Sequence, residues 1–233
     1  MMEQNTIEFS SNAEEYVFTS AELALLLAAT GSVRSVGFAM PEAEDMEQVA
    51  IIQTIHGLLN KGMIEYTEDG GTFRIVDTLA DMFQVCGNAK NVFRFVEIAD
   101  EQIPRMVCYK YRDRCMTIAP CDTLSHGWVI RSTTISGIIS ELQNDGLLPR
   151  EDSLELIDKG NEETAAQREC LLEIQCVDCA SEIIVGKVKF MRSPMEDMLV
   201  FSGENDLENQ VYAYEQKLIT DWMENGNAAK EKL

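Results

Sequence analysis

The chain has 233 residues, with 40 Asp and Glu against 19 Lys and Arg, a formal net charge of −21 and a pI near 4.4. Polyanionic nucleic acids and anionic membrane surfaces attract Lys and Arg, so this balance argues against both as partners. Hydrophobic residues at 45% and charged residues at 25% supply a sizeable core for one large domain or two fused halves, and they exclude disorder over most of the length.

Residues 1–15 are polar and acidic without a period and read as a flexible arm, with neither the basic nor the apolar region of a secretory signal. Thr19-Ser20-Ala21-Glu22 has capping-box spacing and opens a helix through Leu23–Ala29 that Gly31 stops. That seven-residue run is the longest apolar stretch, about 10 Å as a helix, and a membrane span needs about 30 Å, so a soluble, cytoplasmic protein is expected. A second helix is predicted over Glu44–Asn60, with Ile51, Ile52, Ile55, Leu58 and Leu59 on one face. Met63–Thr67 and Thr72–Val76 flank Asp69-Gly70-Gly71 as a β-hairpin. Asp77 is the expected cap of a helix carrying Leu79, Met82, Phe83 and Cys86 at i, i+3, i+4, i+7. Helices followed by a hairpin make this N-terminal unit winged-helix-like.

The period next changes to 2, and Val92–Ile98, Arg105–Tyr111 and Cys115–Ala119 predict a three-strand antiparallel meander. Thr134 opens a helix with Ile135, Ile138, Ile139 and Leu142 on one face, ended by Asp145-Gly146. Pro149–Gln167 reads as an acidic loop. A second meander follows in Cys170–Val177, Glu182–Met191 and Met198–Ser202, then a helix over Leu207–Glu224 carrying Val211, Tyr214, Leu218 and Trp222, and residues 225–233 should fray. Strand starts near 92, 105 and 114 recur near 170, 182 and 198, which suggests two quasi-equivalent halves, 16–125 and 126–224. The expected class is α+β, with antiparallel meander sheets and flanking helices.

No nucleophile elbow, Walker A loop, HExxH or GxGxxG occurs, so no catalytic residue, metal or cofactor is assigned. Cys121, Asp122 and His126 have nucleophile–base–orienter chemistry, but closeness in a loop does not aim them. Cys176-Val177-Asp178-Cys179 lacks the second pair of a zinc site and sits at a strand end, as an inert turn does. Seven scattered cysteines suit reduced thiols. A winged-helix DNA-binding transcriptional regulator is the alternative reading. Against it, Glu44, Asp45 and Glu47 face Lys61 alone, and the hairpin tip is Glu68-Asp69. Tyr109–Arg114 interleaves aromatic and basic residues, more simply as a solvated hairpin turn than as a stacking platform. In Phe190–Leu199 the unbranched, polarizable methionines suit an adaptable apolar docking surface, so Phe190, Met191, Met195 and Met198 are the candidate partner-binding residues.

Glu22-Leu23-Ala24-Leu25-Leu26, Leu59–Ile64, Phe73–Leu79 and Leu142-Gln143-Asn144-Asp145-Gly146-Leu147-Leu148-Pro149 together resemble the EspG-type secretion-associated proteins of the ESX, or type VII, export systems, over roughly residues 16–224. The resemblance implies meanders in two quasi-equivalent halves. It also implies a cytosolic, noncatalytic chaperone that binds a helical hairpin of an export substrate, with no cofactor. The high Met and Cys content and the acidity depart from that pattern.

Overall fold

Thr19 ends strand β1 (Glu15–Thr19) and caps helix α1 (Ser20–Ala29) through a complete capping box. Glu22 N donates to Thr19 Oγ1 at 3.2 Å, and Thr19 N donates to Glu22 Oε2 at 2.8 Å. The same carboxylate oxygen accepts from Lys61 Nζ at 2.7 Å, just beyond helix α2 (Gln48–Asn60), so Glu22, only 4% exposed, ties the two helices together. Gly57 of α2 leaves room for it: a Cβ there would lie 3.3 Å from Glu22 Oε1.

The computed structural model describes residues 15–30, 46–68, 71–98, 104–124, 126–150, 169–192, 197–203 and 210–225. Most of the expected N-terminal arm, most of the acidic loop after Pro149, Met195 and residues 226–233 lie outside them. After α2 come the hairpin β2 (Ile64–Tyr66) and β3 (Phe73–Ile75) and helix α3 (Asp77–Asn88). Strands β4 (Asn91–Glu97), β5 (Met106–Tyr111), β6 (Arg114–Cys121) and β7 (Gly127–Thr133) lead to α4 (Ile135–Asn144). Strands β8 (Glu169–Asp178), β9 (Ile184–Arg192), β10 (Met198–Gly203) and β11 (Gln210–Ala213) precede α5 (Gln216–Asn225). The fold is α+β: one open antiparallel sheet in the order β1-β7-β6-β5-β4-β8-β9-β10-β11, five flanking helices among the described residues, and β2-β3 as a separate two-stranded sheet.

Alternation along the strands builds two cores on opposite faces. On β5, Val107 and Tyr109 join one cluster and Met106 and Cys108 the other. Helices α1, α2 and α3 close the first face with Leu23, Leu26, Leu58, Leu79 and Phe83 over Val92, Met116, Ile118, Trp128 and Ile130. Helices α4 and α5 close the second face with Ile138, Ile139, Leu142, Ile219 and Trp222 over Phe93, Phe95, Ile174, Val188 and Phe190.

Several elements differ from the sequence expectation. Gln210–Ala213 is strand rather than helix, because Val211 and Tyr212 pair with Val200 and Leu199 along the edge of β10, and α5 starts only at Gln216. The apolar spacing expected of that helix survives as Leu218 and Trp222. Strand β7 was not expected, although it alternates buried Trp128 and Ile130 with half-buried Val129 and Arg131. Strand β1 pairs with β7 as the sheet edge. Helix α2 starts at Gln48, four residues after the expected Glu44, and of its apolar face only Leu58 is buried, leaving Ile52 49% exposed.

Glu22→Ala removes a cap and a mostly buried ion-pair partner and is expected to lower unfolding stability by about 2 kcal/mol. Ile52→Ala, at an exposed position, is expected to stay within about 0.5 kcal/mol. Urea unfolding followed by far-UV circular dichroism measures both.

Candidate functional site

Helix α4 divides its surface by the 3.6-residue period. Ile135, Ile138, Ile139 and Leu142 enter the core, and the opposite stripe, Gly137, Ser140, Glu141 and Asn144, forms one wall of a groove of about 1340 Å³. Thr134 holds the near end of the helix by accepting from Gly137 N at 3.1 Å. The groove floor is the second face of β5, β6 and β7. Because Ile118 and Ile130 point toward α1–α3, their neighbours Thr117, Ala119, Val129 and Arg131 point into the groove.

Two arginines span it. Arg105 Nη1 donates to Glu97 Oε1 at 2.6 Å on β4, and Arg105 Nη2 donates to Asp145 at the end of α4. Arg131 Nε donates to Glu15 Oε2 at 2.7 Å on β1, and its Nη1 to Glu141 Oε1 at 3.2 Å on α4. Partial burial works against the charge of Arg105, and Glu97 and Asp145 outweigh it and raise its pKa. With Asp122, the lining carries five carboxylates against two guanidiniums, a surplus of three negative charges. Of the lining, the sequence singled out Asp122, the Thr134 cap and the Asn144-Asp145 end of α4, as a loop residue and two helix ends rather than as one surface. The groove was missed because its floor comes from three strands and its arginines lie 26 residues apart. The one signal available was the polar stripe of α4.

The methionine run lies elsewhere. Phe190 is 1% exposed and packs edge-on against Tyr214 at 5.6 Å between ring centroids, so it serves the core. Its neighbour Met191 points to the opposite face, directly across the ladder from Met198, and both are half-buried. Met195 lies outside the described residues. The pair therefore sits on the face of α1–α3, laterally beyond those helices and away from the groove.

Cys121 and His126 are not hydrogen-bonded to each other; the Cys121 thiol meets Thr123 Oγ1 at 3.3 Å, and the His126 backbone carbonyl accepts from Ser20 Oγ at 2.9 Å. Burial pushes Cys176 up to about 12 and Cys179 up to about 11, which keeps both protonated near neutral pH. Among the described residues, no group of three or more His, Cys, Asp or Glu side chains is placed to hold a metal ion. No helix among them is long and apolar enough to cross a membrane. Helix α2, which would be the recognition helix of a winged-helix regulator, contains no Lys or Arg.

No protein-family model matches the chain, and no curated protein matches it. Among solved structures, the chain is similar to the Mycobacterium tuberculosis type VII secretion system chaperone EspG5 in complex with the PE25-PPE41 dimer. The TM-score is 0.48 and the identity 10%, over 89% of this chain and 94% of that chain.

Thiolate is the species that alkylates. The partly exposed Cys121, whose pKa the Thr123 hydroxyl lowers, is expected to react with iodoacetamide at pH 8 at least tenfold faster than Cys176 or Cys179, whose pKa values burial raises. Peptide mapping by mass spectrometry over a time course reads the order, and equal rates would contradict it.

Proposed function

We propose that this chain is a noncatalytic protein-binding adaptor, a cytosolic chaperone that shields a helical segment of a type VII export substrate. The observation that supports the reading best is the groove between α4 and the sheet. A helix with its side chains is 10–12 Å across and rises 1.5 Å per residue, so about 1340 Å³ corresponds to roughly ten residues, close to three turns. The sequence resemblance to EspG-type proteins points to the same kind of occupant.

The lining chemistry narrows the partner. Thr117, Ser132, Thr133 and Ser140 offer hydroxyls, and the surplus carboxylates favour Lys or Arg on the partner's docking face. Binding there would contribute more to orientation and on-rate than to apolar burial, and the partner's apolar face would need a second contact. The run expected from the sequence, Met191, Met195 and Met198, is the alternative docking seat that we propose; Met191 and Met198 are half-buried and lie directly across the ladder from each other. Met191 and Met198 lie on the face opposite the groove, so one helical segment occupies one seat or the other.

Two double variants separate the seats. Val129→Arg with Ser140→Trp fills the groove from floor and wall, and Met191→Asp with Met198→Asp charges the other face. Tagged protein is recovered from its native cytosol, and the co-purifying protein is identified by mass spectrometry and its helicity measured. Wild type is expected to recover a helical exported protein, and the groove variant to lose at least 90% of it while the methionine variant keeps it. The reverse pattern assigns docking to the methionines, and absence of any helical partner removes the chaperone reading.

Salt supplies a second check. Because groove and partner attract through exposed charges, raising NaCl from 50 to 500 mM is expected to weaken the isolated complex about tenfold or more, chiefly through a slower on-rate. Surface plasmon resonance measures this, and a salt-independent affinity would contradict a charged groove contact.

A further inference from the structure

The cations of this acidic chain are unevenly distributed: residues 91–150 hold seven of the 19 Lys and Arg and only seven of the 40 Asp and Glu. Where β4 begins, the β5–β6 turn and the C-terminal end of α5 come together around a cavity of about 220 Å³. Lys90, Lys110 and Arg112 line it with the amides of Asn88 and Asn91, and Glu224 supplies the only carboxylate among its lining residues. Among the described residues, none of the three cations is in an ion pair, whereas Arg74, Arg105 and Arg131 each hold a carboxylate within 3.2 Å.

Two of the cations, Lys110 and Arg112, are held in place without a carboxylate partner. Lys110 Nζ donates to the Glu224 carbonyl at 3.1 Å, which offsets the negative end of α5 and makes that end compatible with an anion nearby. Arg112 stacks over the Tyr111 ring at 5.1 Å. Its backbone has φ 58°, a left-handed turn position that favours Gly or Asn. The two-residue turn between Tyr111 and Arg114 requires that φ, and Gly is the residue that adopts it without steric cost.

We infer that this cavity is an oxyanion site for a phosphate dianion, free or as a small phosphomonoester, held by Lys90, Lys110 and Arg112. Three cations against one carboxylate leave two positive charges, which a dianion balances. At about 30 Å³ per water, the cavity holds roughly seven waters, enough space for a phosphate and a small ester group but not for a nucleotide. The net charge of −21 does not forbid this, because at physiological ionic strength charges more than about 8 Å away are largely screened. The site is independent of the groove, since the two share no lining residue.

The test is thermal unfolding of the full chain in inorganic phosphate and, separately, in glycerol 3-phosphate, each from 0 to 20 mM and each against chloride at matched ionic strength. The Tm is expected to rise saturably, by about 3 °C at ten times the Kd. A response to both ligands identifies an ester-tolerant site, and a response to inorganic phosphate alone identifies free phosphate. Arg112→Gly relieves the left-handed backbone, so its ligand-free Tm is expected to hold or rise while the phosphate response is lost. Lys90→Ala is expected to keep the ligand-free Tm and weaken the response at least fivefold. The inference is overturned if wild type shows no saturable rise beyond chloride, or if both variants respond as wild type does.

Discussion

Strands β4, β5 and β6 have no polar face over most of their length, and the architecture depends on this. Val92 and Phe93, Val107 and Cys108, and Met116 and Cys115 point to opposite sides and are all at most 1% exposed. Apolar surface on both faces, at about 25 cal/mol per Å², obliges helices to cover both. Helices α1–α3 cover one face toward the β1 end of the sheet, and α4–α5 cover the other toward the β10 end. The two layers are offset along the sheet as well as placed across it.

The offset leaves two areas of sheet without a helix. One is the second face of β6 and β7, which with the start of β5 becomes the floor of the groove beside α4. There the strands turn Thr117, Ala119, Val129 and Arg131 outward, and Arg105 and Arg131 join the sheet to α4 through four carboxylates. Each of those ion pairs is partly exposed and contributes at most about 1 kcal/mol, so they set the width and charge of the groove more than its stability. The other area carries Glu173, Lys189, Met191 and Met198, with a Lys189–Glu173 ion pair at 3.3 Å beside the methionines. A face that mixes an ion pair with thioethers tolerates water, as the groove does, which explains why neither area demands a helix of this chain.

Much of this was legible in the sequence wherever one local signal acts alone. The Thr19–Glu22 capping box, the Thr134 cap, the i, i+3, i+4, i+7 faces of α3 and α4, and the β2–β3 hairpin all have the expected residues. What the sequence hid depends on partners distant along the chain. Val211 and Tyr212 belong to a strand only because β10 has a free edge for them, and the same residues at helical spacing with Leu218 read as helix. The 3.6-residue period also cannot say how deeply a face is covered, which is why the isoleucines of α2 looked like core and Ile52 is half-exposed. Phe190 and Met191 are adjacent in sequence and were read as one surface, yet strand alternation sends them to opposite faces. The groove was hidden most completely, because its floor, wall and charges are assembled from six elements by sheet order.

Hydrogen–deuterium exchange of the chain, alone and bound to its purified partner, tests most directly whether the groove is where a helical substrate is held. The account predicts that binding slows exchange in peptides covering β7 and α4, residues 127–145, and leaves α2 and the β2–β3 hairpin unchanged. Protection confined to α2 and β2–β3, with none in 127–145, would contradict it and move the docking surface to the N-terminal helices.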